Sequence, residues 1–223
     1  MIEGRIVSDV TEITSDDWQG NTLGMTMCGG SGAGKTTMAR CLMDQWSGST
    51  AILFDLDHEP DMGRVVESVD ELKQAILEGE DRIAIRPPVT VVDEPELFEE
   101  TVQFLLSLGN ALRAQEEGKI LFLMDEAQDL QEQWLLVALK RMRKRRIKPV
   151  ALTQDPVSLP KRARTVADYN AWLSPPPSDM KETVEQLGYP LELLEELPAY
   201  DMLILGENWE PEARYRAPER YAR

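Results

Sequence analysis

Residues 29–36 read Gly-Gly-Ser-Gly-Ala-Gly-Lys-Thr and follow, after Cys28, on "NTLGMTM", an apolar alternation of strand character. Four glycines in six positions let the backbone turn tightly with successive N–H groups facing inward. The run that follows, "TTMARCLMD", suits a helix. Strand, glycine loop and helix in this order constrain the chain to an α/β architecture more strongly than any other feature.

The spacing is G-x-x-x-x-G-K-[ST], in the context where a loop of this kind cradles phosphates. Inward N–H groups and the positive end of the following helix suit a polyphosphate, so Gly30, Ser31, Gly32, Ala33, Gly34, Lys35, Thr36 and Thr37 are the candidate nucleotide-binding residues. Lys35 is placed to reach the β and γ phosphates, and the Thr36 hydroxyl to ligate Mg²⁺. The expected ligand is magnesium ATP.

A second motif, "KILFLMDEAQ", ends an apolar run in Asp125 and Glu126. Asp125 at a strand tip can hold the magnesium shell. Glu126 can polarise a water against the γ phosphate, which is a hydrolase arrangement. One strand later, "PVALTQDP" brings Gln154 to the same strand end, where a neutral amide can sense the γ phosphate or orient the water. The catalytic candidates are therefore Lys35, Glu126 and Gln154, with Thr36 and Asp125 for the metal.

Strands are expected at 23–27, 51–54, 82–85, 120–124, 150–152, 170–173 and 202–205, several of them continuous apolar runs of the kind buried on both faces of a parallel sheet. "SVDELKQAILEG" reads as a helix with Ser68 and Glu71 as a capping box and Gly79 as its stop. A long helix is expected from Pro95 to just before Gly118, with Gly109 a weak point inside it. Another, "DLQEQWLLVALKRMRKRR", is expected to be capped by Asp129. The fold class is α/β, a doubly wound, mainly parallel sheet of the RecA-like or P-loop type, as a single domain with a small C-terminal extension. Residues 1–21 form an N-terminal arm, 22–173 the core, and 174–223 an extension that begins at "SPPPSD" with two short helices, about 179–187 and 191–197, an added strand and a tail. "IEGR" at 2–5 also spells a protease site of the kind left by cloning.

The 223 residues allow one sizeable core, and no apolar run reaches the length of a membrane span, so no direct membrane insertion is expected. The first residues carry Glu3 and Arg5 without a long apolar segment, unlike a secretory leader, so a cytoplasmic location is expected. Two cysteines give no disulfide framework and are expected to be reduced. The single histidine, His58, removes multi-histidine metal sites; "DLDHEPD" around it reads as a solvated acidic loop. The formal charge of −16 opposes a surface that coats nucleic acid everywhere, yet "KRMRKRRIK" puts seven cations into nine residues. One edge must be strongly positive, and Arg141, Lys144, Arg145 and Arg146 are candidate DNA contacts there.

The chain resembles the FtsK/HerA superfamily of DNA-pumping ATPases, most closely the small genome-packaging ATPases of viruses with internal membranes and their Zot-like relatives. The anchors are "GGSGAGKTT", "ILFLMDEAQ" and "RKRRIKPVALTQDPVSLP", within a resemblance spanning about residues 22–205. It implies an ATP-hydrolysing motor that translocates double-stranded DNA into a viral capsid as a homo-oligomeric ring, whereas the charge of −16 opposes self-association and makes a monomer the expected resting form. It also implies a capsid-vertex partner, and a place in the host cytoplasm or at the packaging vertex of the virion. An arginine shortly before the glutamine strand acts on a neighbour's nucleotide in that family, and Arg143 falls at this spacing. Gln128 stands where histidine is common, and Lys148-Pro149 precedes the strand, both departures from the pattern. Alternatives are a same-fold motor for phage assembly or extrusion that does not move DNA, a P-loop small-molecule kinase, and a nucleotide-dependent scaffold without turnover. No guanine-reading N-K-x-D run is present, which argues against a GTPase.

Overall fold

The computed structural model describes residues 5–7, 22–88, 95–115, 118–206 and 210–216. Ten strands form a single sheet in the order β1-β10-β9-β8-β2-β7-β6-β3-β5-β4. The strands are β1 (Arg5–Val7), β2 (Met25–Cys28), β3 (Thr50–Phe54), β4 (Arg64–Val66), β5 (Arg82–Ile85), β6 (Ile120–Met124), β7 (Ile147–Thr153), β8 (Tyr169–Leu173), β9 (Asp201–Leu205) and β10 (Pro211–Arg216). From β8 to β4 all neighbours are parallel, whereas β9 runs antiparallel to both β8 and β10.

The central strands are apolar runs with both faces covered, as a parallel sheet demands. Alternation sorts their side chains. Met25, Met27, Leu53, Leu123 and Leu152 face α1 (Lys35–Asp44), which buries Met38, Ala39, Leu42 and Met43 against them. Ile52, Phe54, Phe122 and Met124 face the opposite layer, built from α2 (Val69–Leu77), α3 (Pro95–Gln115), α4 (Glu132–Arg141) and α5 (Lys161–Val166). On that same face, beyond β2, α6 (Lys181–Gln186) and α7 (Leu191–Glu195) cover Trp172, Leu203 and Leu205.

Ser68 caps α2 as expected, accepting from the Glu71 N–H at 3.2 Å, and Gly79 follows its end at φ +82°. α3 continues through Gly109. The helix runs unbroken, and the missing side chain lets it approach the turn before β7: a Cβ there would lie 2.7 Å from the Arg145 carbonyl oxygen. The basic run departs most from expectation. Asp129 sits in a 3-10 turn, Gln131 is the N-cap of α4, and that helix stops at Arg141. Residues 142–145 form a second 3-10 turn, Arg146 turns left-handed at φ +61°, and β7 starts at Ile147 with Lys148 buried inside the sheet. The seven cations therefore never share one helix. The short strands β1, β4 and β10 and the helix α5 were not read from sequence.

Candidate nucleotide site

In a parallel sheet the strands all end on one edge, and here that edge gathers the motifs. Residues 29–34 leave β2, Asp125 and Glu126 leave β6, Gln154 leaves β7, and Asp55 to Glu59 leave β3. Gly32 and Gly34 take φ +75° and +95°, a backbone that only glycine adopts without strain. Gly34 is the N-cap of α1 and provides no side-chain acceptor, which leaves the helix's first N–H groups facing the loop. Lys35 Nζ donates to the Gly29 carbonyl at 3.1 Å, so the loop arches over its own ammonium. Burial pulls the Lys35 pKa below its ordinary range, and the negative charges of Glu126 and Asp125 oppose that shift.

β7 separates β2 from β6, and this order sets Gln154 against Glu126. Gln154 Nε2 donates to one carboxylate oxygen of Glu126 and Gln128 Nε2 to the other. Gln128 is fixed in turn by the Thr153 hydroxyl, which donates to its Oε1 at 2.6 Å. Glu126 is buried and holds a left-handed backbone at φ +42°, the kind of local strain that accumulates at functional positions. Asp125 beside it has its pKa raised to about 7, first by burial and then by the charge of Glu126.

The segment "DLDHEPD" is a loop, as expected, and exposes Asp57, Pro60 and Asp61, but it is not solvated throughout. Asp55 is fully buried and accepts from Arg86 Nε at 2.8 Å and from the Glu59 N–H at 3.0 Å. Arg86 also donates to the Glu59 carbonyl oxygen, and the Arg40 guanidinium holds Pro60 O at 3.0 Å. This bracing delivers Glu59 to the phosphate loop, where its Oε1 accepts from Thr36 Oγ1 at 2.8 Å. Sequence reasoning missed Glu59, although the signal was there: "AILF" ending in Asp55 repeats the apolar-run-then-acid pattern of "ILFLM" ending in Asp125.

Asp57, Glu59, Asp125 and Glu126 crowd one buried lysine, and burial together with the neighbouring carboxylates raises the Asp57 pKa. A triphosphate entering so acidic a site needs a divalent cation to offset the repulsion. Thr36, whose hydroxyl donates to Glu59, and Asp125 would be the oxygen donors for such an ion. Among the described residues no three acidic, histidine or cysteine side chains converge on a metal by themselves, so phosphate oxygens and water would complete its shell. Bound there, Mg²⁺ would neutralise charge on the β and γ phosphates.

Arg143 lies at the other end of the strands. The seven residues of β7 separate its turn from Gln154 by about 20 Å. Its guanidinium pairs with Asp168, its carbonyl accepts from the N–H and hydroxyl of Thr22, and Asp168 Oδ2 accepts from the Gly24 N–H at 2.8 Å. Arg141 and Lys144 are exposed on the same edge. Arg145 is tied to Asn110 and to the Arg141 carbonyl, and Arg146 to the Gly118 carbonyl. Within one chain these cations do not meet the nucleotide site.

Residues 20–161 match the family model of the AAA domain, and the chain belongs to that family. Family and site together make it a P-loop ATPase. No curated protein sequence matches the chain. Among solved structures, the genome packaging NTPase B204 of Sulfolobus turreted icosahedral virus 2 in complex with AMPPCP superposes with a TM-score of 0.66 at 14% identity, covering 88% of this chain and 98% of B204. The same protein with ATP-gammaS gives 0.63 at 14% identity, covering 85% and 95%. The cytoplasmic domain of the Thermomonospora curvata type VII secretion ATPase EccC gives 0.53 at 12% identity, covering 87% of this chain and 24% of EccC. At these identities the likeness is one of fold.

Proposed function

We propose that the protein is an ATP- and Mg²⁺-dependent motor of the FtsK/HerA type that translocates double-stranded DNA, and that its task is to package a viral genome at a capsid vertex. The observation that carries this reading is Glu126 held by Gln154 beside the phosphate loop while exposed cations occupy the opposite sheet edge. A carboxylate with a neutral amide partner at a γ phosphate serves water attack, and a small-molecule kinase has no use for the pair. Both oxygens of Glu126 are occupied by amides in the described state. Each oxygen keeps a second lone pair, so Glu126 can take a proton from the attacking water while the amides orient it, and a shift of Gln154 to the γ phosphate would make that oxygen more basic. Lys35 and the N–H groups of residues 30–37 hold the phosphates, and Thr36 and Asp125 hold the metal.

A homo-oligomeric ring supplies what one chain lacks. A heterologous interface can bring the basic edge of one subunit to its neighbour's nucleotide. Arg143 serves as the finger in trans once its pair with Asp168 opens; Arg141, already exposed, is its competitor. Arg141, Lys144, Arg145 and Arg146 then track DNA phosphates with little sequence preference. The B204 likeness supports packaging, in the host cytoplasm or at the virion vertex, and the EccC likeness supports a second reading, a same-fold motor moving protein.

Phosphate release measured with and without duplex DNA separates the two. Stimulation by DNA is expected, and hydrolysis indifferent to DNA at every salt concentration overturns the DNA reading. Mixing Arg143→Ala with Glu126→Gln subunits should restore activity, and absence of rescue at any ratio removes Arg143 as the finger.

A further inference from the structure

The site gives the triphosphate a direction. Glu126 and Gln154 lie on the β6 and β7 side of β2, so the γ phosphate points that way and the nucleoside leaves over the other side, toward β8 and β9. On that side the C-terminal segment closes against the phosphate loop. Ser174, at the end of β8, donates its hydroxyl to the Ala33 carbonyl at 2.9 Å and accepts from the Tyr200 N–H at 2.9 Å. Both Ser174 and Tyr200 hold left-handed backbones, at φ +60° and +66°, so this junction is specified at a conformational cost. The Tyr200 ring lies against Gly34 so closely that a Cβ there would sit 2.6 Å from its Cδ1, and Pro177 lies equally close over Gly30.

Between these contacts is a cavity of about 210 Å³ bounded by Gly30, Ala33, Ser174, Pro177, Ala199 and Tyr200. We propose that this cavity is the nucleoside pocket, and that Tyr200 and Pro177 hold a purine by stacking without reading its edge. An aromatic ring and a proline ring are the surfaces a flat base packs on. The Ser174 hydroxyl, already bonded to Ala33 and Tyr200, is committed to the loop; the other side-chain hydroxyl on the lining, that of Ser31, can donate or accept and so does not tell one purine edge from the other. Purine triphosphates are therefore held alike, with ATP and GTP within about tenfold of each other. Tyr200 lies outside residues 20–161, so a segment beyond the family match sets nucleotide affinity. The proposal rests on the ATPase reading only for the direction of the triphosphate and is independent of DNA.

The test is calorimetric binding of magnesium ATP, magnesium GTP and magnesium tripolyphosphate to the full chain and to Tyr200→Ala and Tyr200→Phe. Tyr200→Ala should weaken both nucleotides by about 5- to 100-fold, leave tripolyphosphate within twofold, and be rescued by Tyr200→Phe. Unchanged ATP affinity, or tripolyphosphate weakened in step with ATP, overturns the proposal, the latter because Tyr200 would then only shape the loop. ATP favoured over GTP by a hundredfold overturns the unread edge. Photolabelling of the unaltered chain with 8-azido-ATP covers the case in which Tyr200→Ala does not fold. An adduct within residues 174–177 or 199–201 supports the pocket, and adducts confined to other segments overturn it. Loss of DNA stimulation without loss of these results would sink the motor and leave the pocket standing.

Discussion

The two ends of the parallel strands are built on opposite principles. At the C-terminal edge the charged groups are drawn inward and hold one another: Lys35 to its own loop, Thr36 to Glu59, Glu126 between two glutamines, Asp55 between Arg86 and Glu59. At the N-terminal edge, Arg143 is held by Asp168, but Lys140, Arg141 and Lys144 stand in solvent. Groups that must meet a nucleotide at fixed geometry are pre-organised, because misplacement directly costs rate. Cations that meet a polyanion of variable register need only be near it.

The contrast breaks first where it is strongest. Lys35→Ala should abolish nucleotide binding or hydrolysis, since it removes the charge around which the loop is closed. Glu126→Gln should lower the rate by about a hundredfold to ten-thousandfold while ATP affinity stays near native. Single-turnover hydrolysis and equilibrium binding on the same protein check both, and a Glu126→Gln protein turning over at the native rate removes Glu126 from catalysis. Gln154→Ala should fall between, about 10- to 100-fold slower, because it frees the carboxylate yet loses the group that responds to the γ phosphate.

The exposed edge should respond more gently. Replacing Arg141 and Lys144 together by alanine should leave DNA-free hydrolysis unchanged and weaken duplex binding, with the slope of log affinity against log salt falling by about 2. A slope unchanged across salt steps would show that DNA passes elsewhere. Asp168→Asn tests the cation of this edge that is held by an ion pair. The variant should melt a few degrees lower, consistent with about 1–3 kcal/mol from weakening a partly buried charged pair. An unshifted melting temperature would mean that Arg143 is already free to act elsewhere.

Sequence legibility followed the same division. The strand–loop–helix unit, the acid after "ILFLM" and the glutamine after β7 were readable because each is a local pattern whose meaning comes from being at a strand end. Glu59 was not, since an acidic stretch looks solvated until Arg86, from a different strand, is seen to neutralise Asp55. The basic run was misread as a helix because its residues have good helix propensity; the buried strand pairing of Ile147 and Lys148 with β6 overrode it. Tyr200 was invisible for a third reason: its contact with Gly34 spans most of the chain and leaves no periodic trace.

The smallest expected effect concerns a residue beneath the pre-organised edge. Cys28 ends β2 directly before the phosphate loop, with its sulfur 3.5 Å from the Tyr189 hydroxyl, and both it and Cys41 are buried and outside any disulfide. Burial pushes the Cys28 pKa up to about 11, with the Tyr189 hydrogen bond opposing the shift. The raised value keeps the thiol protonated at pH 8, two units further from ionisation than an ordinary cysteine, so its thiolate fraction falls about a hundredfold before any steric protection counts. Iodoacetamide at pH 8 should therefore leave hydrolysis unchanged over the time in which the urea-unfolded chain is fully labelled. Because the thiolate is the reacting form, labelling should accelerate as pH rises toward 11 and never in the acid direction. Mass mapping of the labelled peptide checks this. Modification of Cys28 in the native protein at the unfolded rate would mean that Tyr189 and the helices α6 and α7 do not close over β2, and the firm edge would then be no better packed than the loose one.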